Sequence, residues 1–114
     1  MTKLAVVGSR TFTDEELLSS ILHKFDKKSL TIISGGAMGA DKLAENWAKR
    51  WGVKTIIFKP DYKKYGRKAG IIRNKDIIEN ADQVIAFWDG KSPGTKNSID
   101  RAEKRGIKVD IHYF

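Results

Sequence analysis

The stretch LTIISGGAMGADKLAENWAKRWG, Leu30–Gly52, passes from an apolar run to a helix-spaced one through a corner, Ser34–Asp41, that holds Gly35, Gly36 and Gly39 within five residues. Glycine loses more backbone freedom on folding than any other residue. Three at one corner need a reason: either the turn is tight, or something approaches the bare backbone. On one side Leu30–Ser34 reads as a buried strand. On the other, Ala40, Leu43, Ala44, Trp47, Ala48 and Trp51 recur at helical spacing, and Gly52 is placed to end the helix. Both tryptophans are assigned to the packed stripe.

Strand and helix alternate five times along the chain, with no internal repeat. Leu4–Gly8 reads as a strand. It is followed by a capping box, Thr13 with Glu16, and an apolar helical face of Leu17, Leu18, Ile21, Leu22 and Phe25. Val53–Phe58 is the third strand, Pro60–Ala69 a polar, aromatic loop, and about Gly70–Asn80 the third helix. Gln83–Trp88 is the fourth strand, with the loop DGKSPGT after it. A short helix, Lys96–Arg105, is stopped by Gly106, and Ile107–Phe114 closes as a fifth strand. Such alternation predicts an α/β, Rossmann-like open parallel sheet of about five strands with helices on both faces, in one domain spanning residues 1–114. In the order 3-2-1-4-5 the direction reverses between the first and fourth strands. A ligand is expected there, beyond the strands' carboxyl ends.

Three loops then converge: GSRTFT after the first strand, GGAMGAD after the second and DGKSPGT after the fourth. Backbone N–H groups at glycine-rich turns entering helices suit phosphate or carboxylate. The candidate ligand-binding residues are Gly8, Ser9 and Arg10 from the first loop, and Gly35, Gly36, Ala37, Gly39 and Asp41 from the second. Gly94 and Thr95 come from the third loop, and Arg73 and Asn74 from the third helix. Asp41 is either a first-turn carboxylate, favourable by dipole alone, or an acceptor for ribose hydroxyls. Asn74 interrupts an apolar stripe between Ile71 and Ile78. It is either an amide that caps a neighbouring loop or a ligand contact. A cation near a helix start, as Arg73 is, needs an anion to offset it. Trp88 is either a base-stacking ring or core.

The pattern is neither a dinucleotide-binding GxGxxG nor a P-loop. No cysteine is present, and neither His23 nor His112 has a metal partner by spacing, so no cofactor or metal site is read. The chain is long enough to bury roughly two-thirds of its surface without a staple. Its only early apolar run, Leu4–Val7, is too short for a signal or a membrane span, so a soluble cytoplasmic protein is expected, with no membrane partner. The formal net charge of +8 is uneven. Lys59–Lys75 holds seven basic residues against one acid, Asp61, which favours an anionic partner: a phosphate-bearing small molecule, or nucleic acid stacked on Tyr62 and Tyr65.

Taken in order, GSRTFTD, SGGAMGADKLAENWA, KAGIIRNKDIIENADQVIAFWDG and the GT after it resemble the YspA-like family of the SLOG superfamily, named for the Smf/DprA and Lonely Guy proteins. The resemblance covers almost the whole chain and implies a Rossmann-like fold with a pocket for nucleotides or nucleotide-derived ligands, acting as sensor, sink or processing protein. Lonely Guy enzymes cleave cytokinin ribotide to base and ribose phosphate. Their signature is PGGxGTxxE, with an arginine nine residues ahead of a strand-opening aspartate. By that resemblance Arg73, nine before Asp82, corresponds to the catalytic arginine, and Pro93, Gly94 and Thr95 to the end of the glycine loop. Ser98 stands where those enzymes carry the catalytic glutamate. N-glycosidic cleavage normally uses a carboxylate to stabilise the sugar cation or to activate water. Asp100, Asp89 and Asp41 are the candidates to replace it, and DprA-like binding of single-stranded DNA is a further alternative. Related proteins often pair, so the aromatic tail His112–Phe114 either serves a homodimer interface or finishes the sheet.

Overall fold

Alternation within the first strand decides the layering. In β1 (Thr2–Gly8), Leu4 and Val6 face one layer and Ala5 and Val7 the other, all four buried. That is the period of a pleated strand covered on both faces, as parallel sheets require. A computed structural model describes residues Met1–Phe114. Its five strands are β1, β2 (Leu30–Ser34), β3 (Lys54–Ile57), β4 (Gln83–Trp88) and β5 (Lys108–Tyr113). They pair in parallel in the order β3-β2-β1-β4-β5. The chain is thus a Rossmann-like α/β sheet with helices on both faces, in the order expected.

Helices α1 (Glu15–Leu22) and α2 (Ala40–Trp51) cover one face. Helices α4 (Ala69–Asn80) and α5 (Pro93–Arg105) cover the other. The α1/α2 layer is the heavier, because its buried set includes Phe12, Trp47 and Phe87 whereas the opposite set holds only aliphatic residues. Phe12 stacks on Phe87 with ring centroids 4.3 Å apart, and Phe114 packs edge-on against Phe12 at 5.1 Å. The tail therefore finishes the sheet, and the Phe114 N–H donates to the Trp88 carbonyl. At the other end of the strands, Asp82 accepts the Lys3 N–H at 2.7 Å and pins β4 to β1.

Several expectations shift. Asp14, not Thr13, caps α1: its carboxylate accepts the Leu17 N–H at 3.1 Å. The segment expected as loop contains helix α3 (Tyr62–Tyr65), capped by Asp61, and a 3-10 turn, Gly66–Lys68. Helix α5 starts at Pro93 instead of Lys96, since proline at a first helical position is preset for helix and gives up no needed N–H. Ile71 is exposed, so the buried face of α4 is Ala69, Asn74, Ile77 and Ile78. Trp51 is 47% exposed while Trp47 is core: the Trp51 ring packs edge-on against His23 at 4.8 Å, outside the buried cluster.

Gly39 sits at φ +80°, and a Cβ there would strike the Ser9 carbonyl and lie 2.8 Å from Arg10 backbone atoms. Gly8 meets the corner in the same way, its added Cβ 2.5 Å from Ala40 Cβ. What approaches the bare backbone is the chain's own first loop. Gly52 also has positive φ (+68°), but nothing lies within 4 Å of an added Cβ. Gly39→Ala is therefore expected to destabilise by about 3 kcal/mol, strain plus overlap, and Gly52→Ala by about 1 kcal/mol, strain alone. Urea denaturation of the two variants measures the difference, and equal losses would contradict the close approach.

Candidate functional site

The strand order reverses between β1 and β4, and a cavity of about 340 Å³ opens there at the carboxyl ends of the strands. Its walls come from Gly8–Thr11 after β1, Ala37 and Asp41 after β2, and Arg73, Asn74 and Ile77 on α4. Asp89 and Ser92–Thr95 with Ser98 close it from the β4–α5 side.

Ser9 ties two of the loops together. Its N–H donates to the Phe87 carbonyl at 2.9 Å, and its buried Oγ accepts the Asp89 N–H at 3.2 Å and the Ser92 hydroxyl at 2.9 Å. Asp89 builds the next turn, taking the Lys91 and Ser92 N–H groups on one carboxylate oxygen at 2.8 Å each. Those N–H groups, Ser92 first and then Lys91, hold its pKa down at about 2, so it is ionised at neutral pH. Trp88 braces the same turn, its indole N–H donating to the Ser92 carbonyl at 3.1 Å. This is the packing role of the two weighed for that ring.

Beyond the brace, α5 begins. Pro93 has no N–H. The N–H groups of Gly94 and Thr95 find no acceptor in the chain, as first-turn donors do not unless capped. A Cβ on Gly94 would meet nothing within 4 Å. The start of a 13-residue helix is thus open at the cavity, with its partial positive charge uncapped. Arg10 lines the same cavity, exposed and with no ion pair in the chain.

Helix α4 fixes the two loops relative to each other. Arg73 donates through Nη1 to the Gly35 carbonyl at 2.6 Å and through Nε to Asn74 Oδ1 at 3.0 Å. Asn74 is 7% exposed and donates from Nδ2 to the Gly94 carbonyl at 3.3 Å. It is therefore the loop-capping amide, and at the same time a cavity wall. Gly35 admits the guanidinium, since a Cβ there would lie 2.5 Å from Nη1.

The corner itself is closed. Asp41 Oδ2 accepts the N–H groups of both Gly35 and Ala37 at 3.2 Å, and the Gly36 N–H turns to the Ser34 hydroxyl at 3.4 Å. Three of the corner amides expected to cradle an anion, those of Gly35, Gly36 and Ala37, are thus already occupied; the Gly39 N–H has no acceptor in the chain, but Gly35, Gly36 and Gly39 do not line the cavity. The other nine expected binding residues do: Gly8, Ser9, Arg10, Ala37, Asp41, Arg73, Asn74, Gly94 and Thr95. Asp100 is corrected outright. It lies outside the cavity, exposed and paired with Lys96 at 2.8 Å. Val7, Thr11, Ile77, Asp89, Ser92, Pro93 and Ser98 are lining residues outside the expected binding set. Two had a usable signal: aspartate three residues before serine marks a side-chain-closed turn, and Ile77 is four residues on from Arg73, one helical turn away.

A parallel sheet with its cavity at the reversal point defines a Rossmann-like α/β protein. Residues 2–65 match the model of the "YspA, cpYpsA-related SLOG family". The Gene 61 protein of Mycobacterium phage D29 is 34% identical over 121 residues, which cover 96% of this chain and 94% of that one. The chain belongs to this SLOG family. Among solved structures, DNA processing protein A of Streptococcus pneumoniae superposes with a TM-score of 0.83 at 22% identity, over 97% of this chain and 50% of that one. The Helicobacter pylori counterpart, which has a distinctive single-stranded DNA binding mode, gives 0.80 at 23% over 96% and 64%. The protein TM1055 gives 0.75 at 21% over 96% and 72%. The chain spans half to about two-thirds of the two DNA processing proteins, and these likenesses establish the fold. No helix is long and apolar enough to cross a membrane.

Burial lifts the Asp41 pKa from 3.8 to about 6, against the pull of the Ala37 N–H and the Arg73 charge. The folded state therefore binds this proton more tightly than the unfolded state does. The carboxyl's contribution to stability is full below about pH 4 and is lost as pH rises through about 6. Asn in its place keeps an oxygen for both N–H groups. Urea denaturation from pH 4 to 7 is expected to show Asp41→Asn gaining on the native protein by up to about 3 kcal/mol across that window. A difference that stays flat with pH would contradict the burial.

Proposed function

We propose that the cavity binds a nucleotide or a nucleotide-derived, phosphate-bearing small molecule, with its phosphate at the start of α5, and that the protein serves as a sensor, sink or processing protein for that ligand. The observation that carries this reading is the pair of unpaired N–H groups, Gly94 and Thr95, opening into a cavity that also receives Arg10 and Arg73. Backbone donors at a helix start are a ready anion site. The rest of the lining argues for more than bare phosphate. Asp41 and Asp89 supply acceptors suited to ribose hydroxyls or a base amine, and above about pH 6 they balance the two arginines. The volume of about 340 Å³ is at the small end of ligand pockets, which fits one nucleotide unit.

Hydrolysis of the N-glycosidic bond is the enzymatic alternative. With Ser98 at the glutamate position and Asp100 outside, it would fall to Asp41 or Asp89. A DNA-binding reading is favoured by a separate observation. Tyr62 and Tyr65 stand exposed in the basic segment Lys59–Lys75, the Lys64 ammonium lies 5.1 Å from the Tyr65 ring centre, and a structural neighbour binds single-stranded DNA.

Calorimetric titration with nucleoside monophosphates, the matching nucleosides and a short oligonucleotide separates these readings. Monophosphates are expected to bind, nucleosides to bind far more weakly, and no free base to be released on incubation. Arg73→Ala is expected to weaken the monophosphate by about 1.5–3 kcal/mol, the value of a charge-assisted hydrogen bond. Arg10→Ala, which breaks no internal contact, is expected to weaken it about tenfold with unchanged thermal stability. Equal affinity for nucleoside and monophosphate would overturn the phosphate assignment. Release of free base would establish the hydrolase instead. Oligonucleotide binding that falls steeply with salt, with none to monophosphates, would establish the DNA reading.

A further inference from the structure

The bulkiest exposed side chain in the protein is Trp51, and it borders a second, larger hollow of about 630 Å³ between α1 and α2. Trp47 forms its floor, braced by its indole N–H donating to His23 Nε2 at 3.4 Å. The charges along this groove are segregated. Helices α1 and α2 join parallel strands on the same face, so they run in the same direction; α1 carries acids in its first turn and α2 bases in its last, as the helix dipole favours. Glu15 and Glu16 therefore stand at one end of the groove. Arg50 stands at the other, with its guanidinium carbon 5.9 Å and the Lys27 ammonium 5.5 Å from the Trp51 ring centre. None of these four charged groups has an ion-pair partner in the chain.

We propose that this groove is a self-association face, in which two copies pair about a two-fold axis crossing it. Trp51 of each enters the groove of the other, and Arg50 of each meets Glu15 and Glu16 of the other. The charge pattern selects the occupant. A polyanion is repelled at the acidic end and a polycation at the basic end. The surface that matches is one with the same groove turned end for end, which a second copy supplies in an isologous contact. Tryptophan and arginine are the residues that most often dominate the energy of such contacts, and Trp51 is left half in water by the isolated chain. This inference concerns the α1/α2 layer and does not depend on what the cavity binds.

Sedimentation equilibrium on the whole chain, from micromolar to millimolar concentration, is the test. The protein is expected to dimerise, and more weakly as salt is raised. Trp51→Ala and Arg50→Glu are each expected to raise the dimer dissociation constant about tenfold or more, with helical circular dichroism unchanged. The triple variant Glu15→Lys, Glu16→Lys, Arg50→Glu reverses both ends of the groove at once and is expected to restore dimerisation. That rescue also guards against a single variant that simply misfolds. A protein that stays monomeric at the highest concentration overturns the proposal. So does a dimer indifferent to Trp51→Ala and Arg50→Glu, or a triple variant that does not recover.

Discussion

Two adjacent side chains on α4 hold the site together. Arg73 reaches back 38 residues to the Gly35 carbonyl, and Asn74 reaches forward 20 to the Gly94 carbonyl. The link between them fixes the geometry of both. Because Arg73 Nε donates to Asn74 Oδ1, the amide oxygen is committed and its nitrogen must turn to α5. A buried amide left unpaired would cost about 1–3 kcal/mol, so this chain of donors and acceptors is strongly determined. It sets the distance between the β2 corner and the helix start, and with it the width of the cavity.

The glycines at the corner serve that arrangement. One lets the first loop cross the start of α2, and another lets the guanidinium lie against the backbone. The corner amides are then gathered by Asp41, a carboxylate kept in a dry place close to Arg73. With its Gly35, Gly36 and Ala37 amides consumed, the corner acts as a wall, and the open donors that line the cavity lie across it on α5. The two carboxylates of the cavity differ for physical reasons. Asp89, half-buried but bonded to backbone N–H groups, stays charged, whereas buried Asp41 takes a proton near pH 6. Environments that push two acids apart in this way give a site one fixed charge and one that follows pH.

Much of this was legible in the sequence. Apolar runs at Leu4–Val7, Leu30–Ile33 and Val84–Phe87 mark strands covered on both faces. The alternation with helices implies a parallel sheet, and the order 3-2-1-4-5, once taken for it, locates the cavity. What was not legible depends on side-chain direction. No pattern tells that Asp41 turns back onto Gly35 and Ala37. The run SPGT looks like a turn, although proline followed by helix formers is also how a helix begins. Asp100 was a candidate only while its helix had no known face. The buried face is Thr95, Ser98, Ile99 and Ala102, and a residue two on from Ser98 points to the opposite side. Trp51 kept helical spacing with Trp47, yet spacing alone does not say which turn of a helix the core covers.

The proposed anion site is the start of α5 and not the glycine corner. Backbone amide resonances followed by NMR while a nucleoside monophosphate is added test this most directly. Gly94 and Thr95 are expected to move furthest, with Arg10 and Thr11 beside them, while Gly35 and Ala37 stay close to their starting positions because Asp41 already holds them. The largest shifts at Gly35–Ala37, or none at the start of α5, would contradict it.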